Sequence, residues 1–208
     1  MAVEQSREPA ASSRTVLLVM DMQHDFCDRS GVFARHGFDV SGIEAILPRI
    51  AEVMRACNAA KVPVVATKLT ILKDIDGTAM GLGHLRQLRP FLALEGFREN
   101  SIGQALHPDL PRPDYEVRKW GHSAMFQTEL EKLLRSLNAT DLVFTGIATN
   151  GAVEATARDA VVREYHVHTL SDCVAAYDPE LHLASLKNLG FIGSLKTSDS
   201  FLRLLAGA

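Results

Sequence analysis

Three short stretches of this sequence carry groups that could do chemistry together. The first holds Asp21, in Met20-Asp21-Met22-Gln23-His24-Asp25-Phe26, directly after the run Thr15–Met20. A carboxylate at the end of a buried strand is partly desolvated, which raises its proton affinity and suits it to carrying a proton. The alternative is an aspartate that only caps a turn. The second holds Lys119, in Val117-Arg118-Lys119-Trp120-Gly121-His122-Ser123-Ala124. An ammonium near Asp21 would pair with it and stabilise developing negative charge; the alternative is a solvated surface lysine. The third is Gly146-Ile147-Ala148-Thr149-Asn150-Gly151-Ala152-Val153-Glu154. Its small residues permit a sharp strand-to-helix turn, laid out like a nucleophile elbow though lacking GxSxG. The first N–H groups of the new helix would face the strand end, where an anion could sit. Thr149 and Asn150 equally suit the N-cap of an ordinary βα loop.

Those groups need elements to hold them. Short apolar runs at Thr15–Met20, Val62–Thr67, Tyr115–Val117, Asp141–Thr145, Tyr165–Leu170 and Phe191–Lys196 read as strands. Between them, apolar residues spaced three and four apart predict helices over Ile43–Ala60, Met125–Leu137, Gly151–Glu164 and Glu180–Leu189. Pro48 suits a first helical turn, so the first of these can begin there. Lys68–Asp114 is a long glycine-bearing connection with short helices expected around His84–Leu94, and long connections are often functional. Alternating strands and helices predict an α/β fold with a parallel sheet. Ligands in such sheets bind beyond the carboxyl ends of the strands, where Asp21, Lys119 and the Gly146 turn all fall.

Composition narrows the function. The 208 residues are 47% apolar and 23% charged, the balance of a globular chain. A net charge of −3 without a basic block argues against nucleic-acid binding. No apolar run is long enough to span a membrane. Residues 1–14 are polar, without the apolar stretch of a signal peptide, and read as a flexible arm before one domain at 15–208; a cytoplasmic enzyme is the expectation. Three scattered cysteines, Cys27, Cys57 and Cys173, form no disulfide framework and no zinc motif.

Taken together, Leu17–Phe26, Val117–Leu134, Phe144–Ala160 and Leu170–Leu186 resemble, in order, four segments of the isochorismatase-like cysteine hydrolase superfamily. That superfamily includes ureidoacrylate, N-carbamoylsarcosine and biuret hydrolases, nicotinamidases and isochorismatases. The resemblance implies a three-layer αβα fold with a six-stranded parallel sheet of order 3-2-1-4-5-6. It implies an Asp21–Lys119–cysteine triad, with the backbone N–H groups of Ala148 and residue 152 as oxyanion hole and a cis Ile147–Ala148 bond. It also implies a homodimer or homotetramer. The nucleophile's position is here Ala152, where the superfamily normally has cysteine.

With a thiol at 152, the implied function is hydrolysis of a C–N bond in a small amide or ureido compound. As written, the sequence fits an inactive Cys→Ala form of such an enzyme. A vinyl ether hydrolase of the isochorismatase type, needing no thiol, and a non-catalytic binding or scaffold protein stand as alternatives. No cofactor is implied. The segment after the second strand, Ala66–Leu72, lacks the metal ligands that nicotinamidases carry there, so no metal is expected. Gln23, Phe26, Trp120, Thr149 and Tyr177 are the candidate substrate contacts, each with core packing as the alternative. Lys68, His84 and Arg86 are weaker candidates for a substrate carboxylate or carbonyl. Cys27 is the one cysteine near enough in sequence to approach the site, but it lacks the elbow's helix N-terminus.

Overall fold

The computed structural model describes residues 14–207; the polar arm read over 1–14 falls almost wholly outside them. Six strands form one parallel sheet in the order β3-β2-β1-β4-β5-β6. They are β1 (Thr15–Met20), β2 (Val64–Leu69), β3 (Tyr115–Lys119), β4 (Asp141–Ile147), β5 (His166–Ala175) and β6 (Ser194–Lys196). This is the three-layer α/β architecture and strand order expected from the resemblance.

The central strand shows why the sheet is covered on both faces. Every residue of β1 is buried. Successive side chains of a strand point to opposite faces, so β1 must feed two cores. Leu17 and Val19 pack with Ile50, Met54 and Cys57 of α1 (Leu47–Ala59), and Phe201 closes the same core. Val16, Leu18 and Met20 face the other way, onto Leu130 and Leu134 of α2 (Leu130–Ser136), Ala157 and Ala160 of α3 (Glu154–Val162) and Leu189 of α4 (Pro179–Ile192). Phe201 lies on α5 (Ser198–Leu205), a C-terminal helix the periodicity reading passed over.

Several element boundaries differ from expectation, some for a clear local reason. The helix expected over Met125–Leu137 starts only at Leu130. Gln127 sits at φ +53°, and the Thr128 hydroxyl accepts from Leu130 N–H while donating to Ala124 carbonyl, so the chain turns there instead of coiling. Strand β5 runs on from Leu170 to Ala175, because an irregularity in its pairing with β4 absorbs the polar Ser171–Asp172 step. The Asp172 carboxylate then accepts from both the backbone N–H and the hydroxyl of Ser198. Helix α4 extends to Ile192, leaving β6 only three residues. The helix expected from Gly151 begins as a separate wide turn, described below.

At the amino ends of the strands, far from Asp21 along the sheet, His168 joins three strands. Its Nδ1 lies 2.7 Å from Ser194 Oγ and its Nε2 3.3 Å from Asp141 Oδ1. The order Ser–His–Asp imitates a catalytic triad, but all three side chains are buried, and none lines the pocket of Asp21 or the cleft of Trp120. Burial pushes His168 below its ordinary value of 6.5, against the opposing pull of Asp141. The unfolded chain therefore takes up a proton near that value before the folded one does, and stability falls as pH drops below it. Denaturation at about pH 7.5 and about pH 5.5 should show a smaller acid loss in His168→Gln than in the parent. An equal loss in both would exclude His168 as a source.

Candidate active site

The sheet register assembles the first half of the site. Met20 pairs with Thr67, and Leu69 pairs with Lys119, so the ends of β1, β2 and β3 are fixed side by side. Asp21 follows Met20 at φ +51°, a left-handed conformation unusual for a residue with a side chain. Its backbone N–H donates to Thr67 carbonyl and Oγ1, both at 3.2 Å. The Thr67 hydroxyl donates back to Asp21 Oδ1 at 2.7 Å. Lys119 Nζ lies 2.7 Å from Asp21 Oδ2 and also donates to Gly121 carbonyl at 2.7 Å. Asp21 is 3% and Lys119 2% exposed. Burial raises the proton affinity of Asp21, with Lys119 and Thr67 acting against it.

The turn after β4 supplies the second half. Gly146 pairs with Met20 and sits at φ +96°. A Cβ there would lie 2.2 Å from Met20 carbonyl, so only glycine lets the ends of β1 and β4 come this close. The Ile147–Ala148 peptide is cis, as expected. Thr149–Val153 then forms one wide, π-helical turn before α3 begins at Glu154. Gly151 N–H and Val153 N–H both donate to Ala148 carbonyl, at 2.9 and 3.2 Å. Ala152 is 4% exposed.

Both halves meet at one pocket of about 420 Å3, lined by Asp21, Lys119, Ala148 and Ala152. The long connection after β2 gives this pocket part of its wall. Leu85 and Leu88, from the short helix Leu85–Leu88, and Leu92, from the 3-10 turn Pro90–Ala93, line it. Phe26, Phe33, Phe38 and Tyr177 add an aromatic side. Phe33 and Tyr177 stack at 5.0 Å and 14°, and the Tyr177 hydroxyl donates to Phe26 carbonyl at 2.9 Å.

The expected substrate contacts divide. Phe26 and Tyr177 line the pocket; Gln23, Thr149 and Trp120 do not. Gln23 is a buried brace: its amide donates to Leu69 and Gln104 carbonyls at 2.9 Å and accepts from Leu69 N–H at 2.8 Å. Thr149 Oγ1 lies 2.9 Å from His182 Nδ1 of α4. Trp120 faces a separate cleft beside Leu72 and Met80. Lys68 is paired with Glu116, and Arg86 is spent on Ala79 carbonyl. Residues that sequence reasoning missed are Phe33, Phe38, Arg89 and His122, all lining the pocket. Arg89 lies three residues beyond Arg86 in the same connection, and only folding shows which of its cations turns inward.

None of the three cysteines lines the pocket. All three are buried, and burial pushes Cys57 and Cys173 up to about 12. Cys27 is raised well above its ordinary value by burial and by the nearby negative charges of Asp21 and Asp28. Among the described residues, no group of three or more His, Cys, Asp or Glu side chains is placed to hold a metal ion. No helix among them is long and apolar enough to cross a membrane.

The comparison with known proteins agrees with this layout. The isochorismatase domain matches residues 15–198, and the chain belongs to the isochorismatase family. It is 33% identical over 215 aligned positions to the ureidoacrylate amidohydrolase RutB of Methylobacterium radiotolerans, covering 94% of this chain and 83% of that enzyme. A cysteine hydrolase from Pseudomonas syringae pv. phaseolicola 1448A superposes with a TM-score of 0.87 at 26% identity, covering 100% of this chain and 99% of the other. The N-carbamoylsarcosine amidase of Thermoplasma acidophilum shares the fold, with a TM-score of 0.70 at 21% identity over 89% of this chain and 97% of its own.

Two variants probe the frame. Gly146→Ala should leave little folded protein, since its Cβ meets backbone at 2.2 Å; a near-native melting temperature would refute the close approach. Lys119→Met leaves Asp21 buried without its cation. Its cost should be about 3–5 kcal/mol near neutral pH. Because the proton affinity of Asp21 is already raised and rises further without Lys119, the cost should shrink in acid as the carboxyl becomes neutral. Denaturant titrations at two pH values measure this; a cost independent of pH would contradict it.

Proposed function

We propose that this pocket is built to hydrolyse a C–N bond in a small amide or ureido compound, and that Ala152 occupies the nucleophile's place. The observation that carries the proposal is a buried carboxylate–ammonium pair opening onto the same pocket as the turn holding Ala152. The activities named for a 33% identical ureidoacrylate amidohydrolase and a 26% identical cysteine hydrolase support the same chemistry.

With cysteine at 152, Asp21 would accept the thiol proton as sulfur attacks the carbonyl carbon. Lys119 would favour the charged form of Asp21, opposing the effect of burial. The N–H groups of residues 148 and 152 would face the developing oxyanion. On collapse the C–N bond breaks, and Asp21 returns its proton to the departing nitrogen. Water then cleaves the acyl–sulfur bond and restores the thiol. With Ala152 there is no sulfur to attack, and no buried cysteine elsewhere reaches the pocket. This chain is therefore a substrate-binding form of the site that cannot begin the covalent cycle.

Ammonia release tests this directly. Ala152→Cys should hydrolyse a ureido acid or primary amide at least about 1000-fold faster than the parent, the scale on which loss of a nucleophile is felt. Parent turnover equal to that of the variant would overturn it. Turnover of isochorismate by the parent itself would instead favour acid-assisted vinyl ether cleavage by Asp21.

A further inference from the structure

Arg89 is the unclaimed charge of the pocket. It leaves the short helix Leu85–Leu88, is half-buried, and lays its guanidinium over the Phe38 ring at 4.7 Å. Among the described residues, its guanidinium donates to the carbonyl of its neighbour Leu88 at 2.7 Å. No carboxylate among the described residues forms an ion pair with it, and it is the one arginine lining this pocket.

The other ionisable groups of the pocket are accounted for. Asp21 and Lys119 neutralise each other. The Asp178 carboxylate accepts from Glu180 and Leu181 N–H at the start of α4. Burial, then the charge of Lys119, lowers the proton affinity of His122, and Arg89 adds to that effect. Arg89 also lowers the proton affinity of Tyr177, which burial otherwise raises. One guanidinium thus acts on both His122 and the aromatic side, with no anion of the protein committed to it.

Size and surface complete the case. A pocket of about 420 Å3 has room for a ligand larger than a bare ureido acid. Beyond Asp21 and Lys119, its lining is dominated by aromatic rings and leucines. Such walls favour an apolar body, and a planar unpaired guanidinium favours a carboxylate held bidentately.

We propose that the pocket selects an amide or urea borne on an aryl or alkyl body, with a carboxylate at its far end seated on Arg89. The inference rests on the C–N hydrolase reading for the end of the substrate that faces Asp21, but the far end is tested by binding alone. The parent chain suits this, since a bound ligand should persist uncleaved.

Three probes suffice: 4-(ureidomethyl)benzoate, its neutral analogue 4-methylbenzylurea, and the small acid 3-ureidopropionate. Calorimetry on the parent should find the first bound at least about 10-fold tighter than either other. Arg89→Gln should abolish the preference of the first over the neutral analogue and leave affinity for the neutral analogue within about 2-fold. Arg89→Lys should keep part of that preference. Tightest binding of 3-ureidopropionate, or an acid preference unchanged by Arg89→Gln, overturns the proposal. A fold defect would weaken both aryl ligands together, which also counts against it. Cleavage by Ala152→Cys separates the two claims. If it cleaves 3-ureidopropionate best, the hydrolase reading stands and the far-end proposal falls. If it cleaves none of the three while the parent shows Arg89-dependent binding, the far-end proposal stands and the hydrolase reading falls.

Discussion

The pair between Lys119 and Asp21 constrains the rest of this structure. Two opposite charges are removed from water, and their attraction repays desolvation only when geometry and remaining hydrogen bonds are right. Here Asp21 has Thr67 on one oxygen and Lys119 on the other, while Lys119 has Gly121 carbonyl as well. Each partner comes from a different strand end, so the pair can form only if β1, β2 and β3 hold one register. A slip of one residue would turn Asp21 or Lys119 to the opposite face. The buried pair and the sheet register therefore specify each other. Gly146 extends the same constraint to β4, because its missing Cβ is what lets the elbow approach Met20.

Legibility in the sequence followed the physics of each part. Strand β1, the elbow and their order could be read because continuous burial and tight turning restrict residue type locally. Asp21 and Lys119 stood at strand ends, where a parallel sheet concentrates ligand groups. Thr67, which positions Asp21, could have been found by asking which polar residue in β2 stands beside Met20. The aromatic wall was less accessible. Phe26 and Tyr177 were in view, but Phe33, on the short helix Val32–Arg35, and Phe38 and Arg89, in the chain beside short helices, reach the pocket only through tertiary packing. Gln23 and Thr149 stand beside the pocket without lining it. Polar residues beside a site are equally suited to bracing its backbone, and these two are buried with protein partners.

The cysteines show how strongly position governs reactivity. A thiol in a closed apolar setting holds its proton, and Cys57 and Cys173 are of that kind. Cys27 is nearer the chemistry yet worse placed, since the charge of Asp21 adds to burial in opposing a thiolate. The elbow differs because its backbone turns into the amino end of α3, where an anion is favoured. Proximity along the chain cannot substitute for that geometry.

Ala152 itself belongs to the core beneath the elbow, packed in the same cluster as Val153, Ala157 and Phe144. Cysteine and alanine are both small and both content in such surroundings. The fold is therefore nearly indifferent to which of the two stands at 152. The strained Asp21 backbone, the buried ion pair and the glycine contact can therefore stand with alanine there. Those features are held by the sheet register and by one another, not by the residue at 152. What Ala152 leaves intact is a charged, apolar-walled pocket, and such a pocket can bind whatever the walls and Arg89 select.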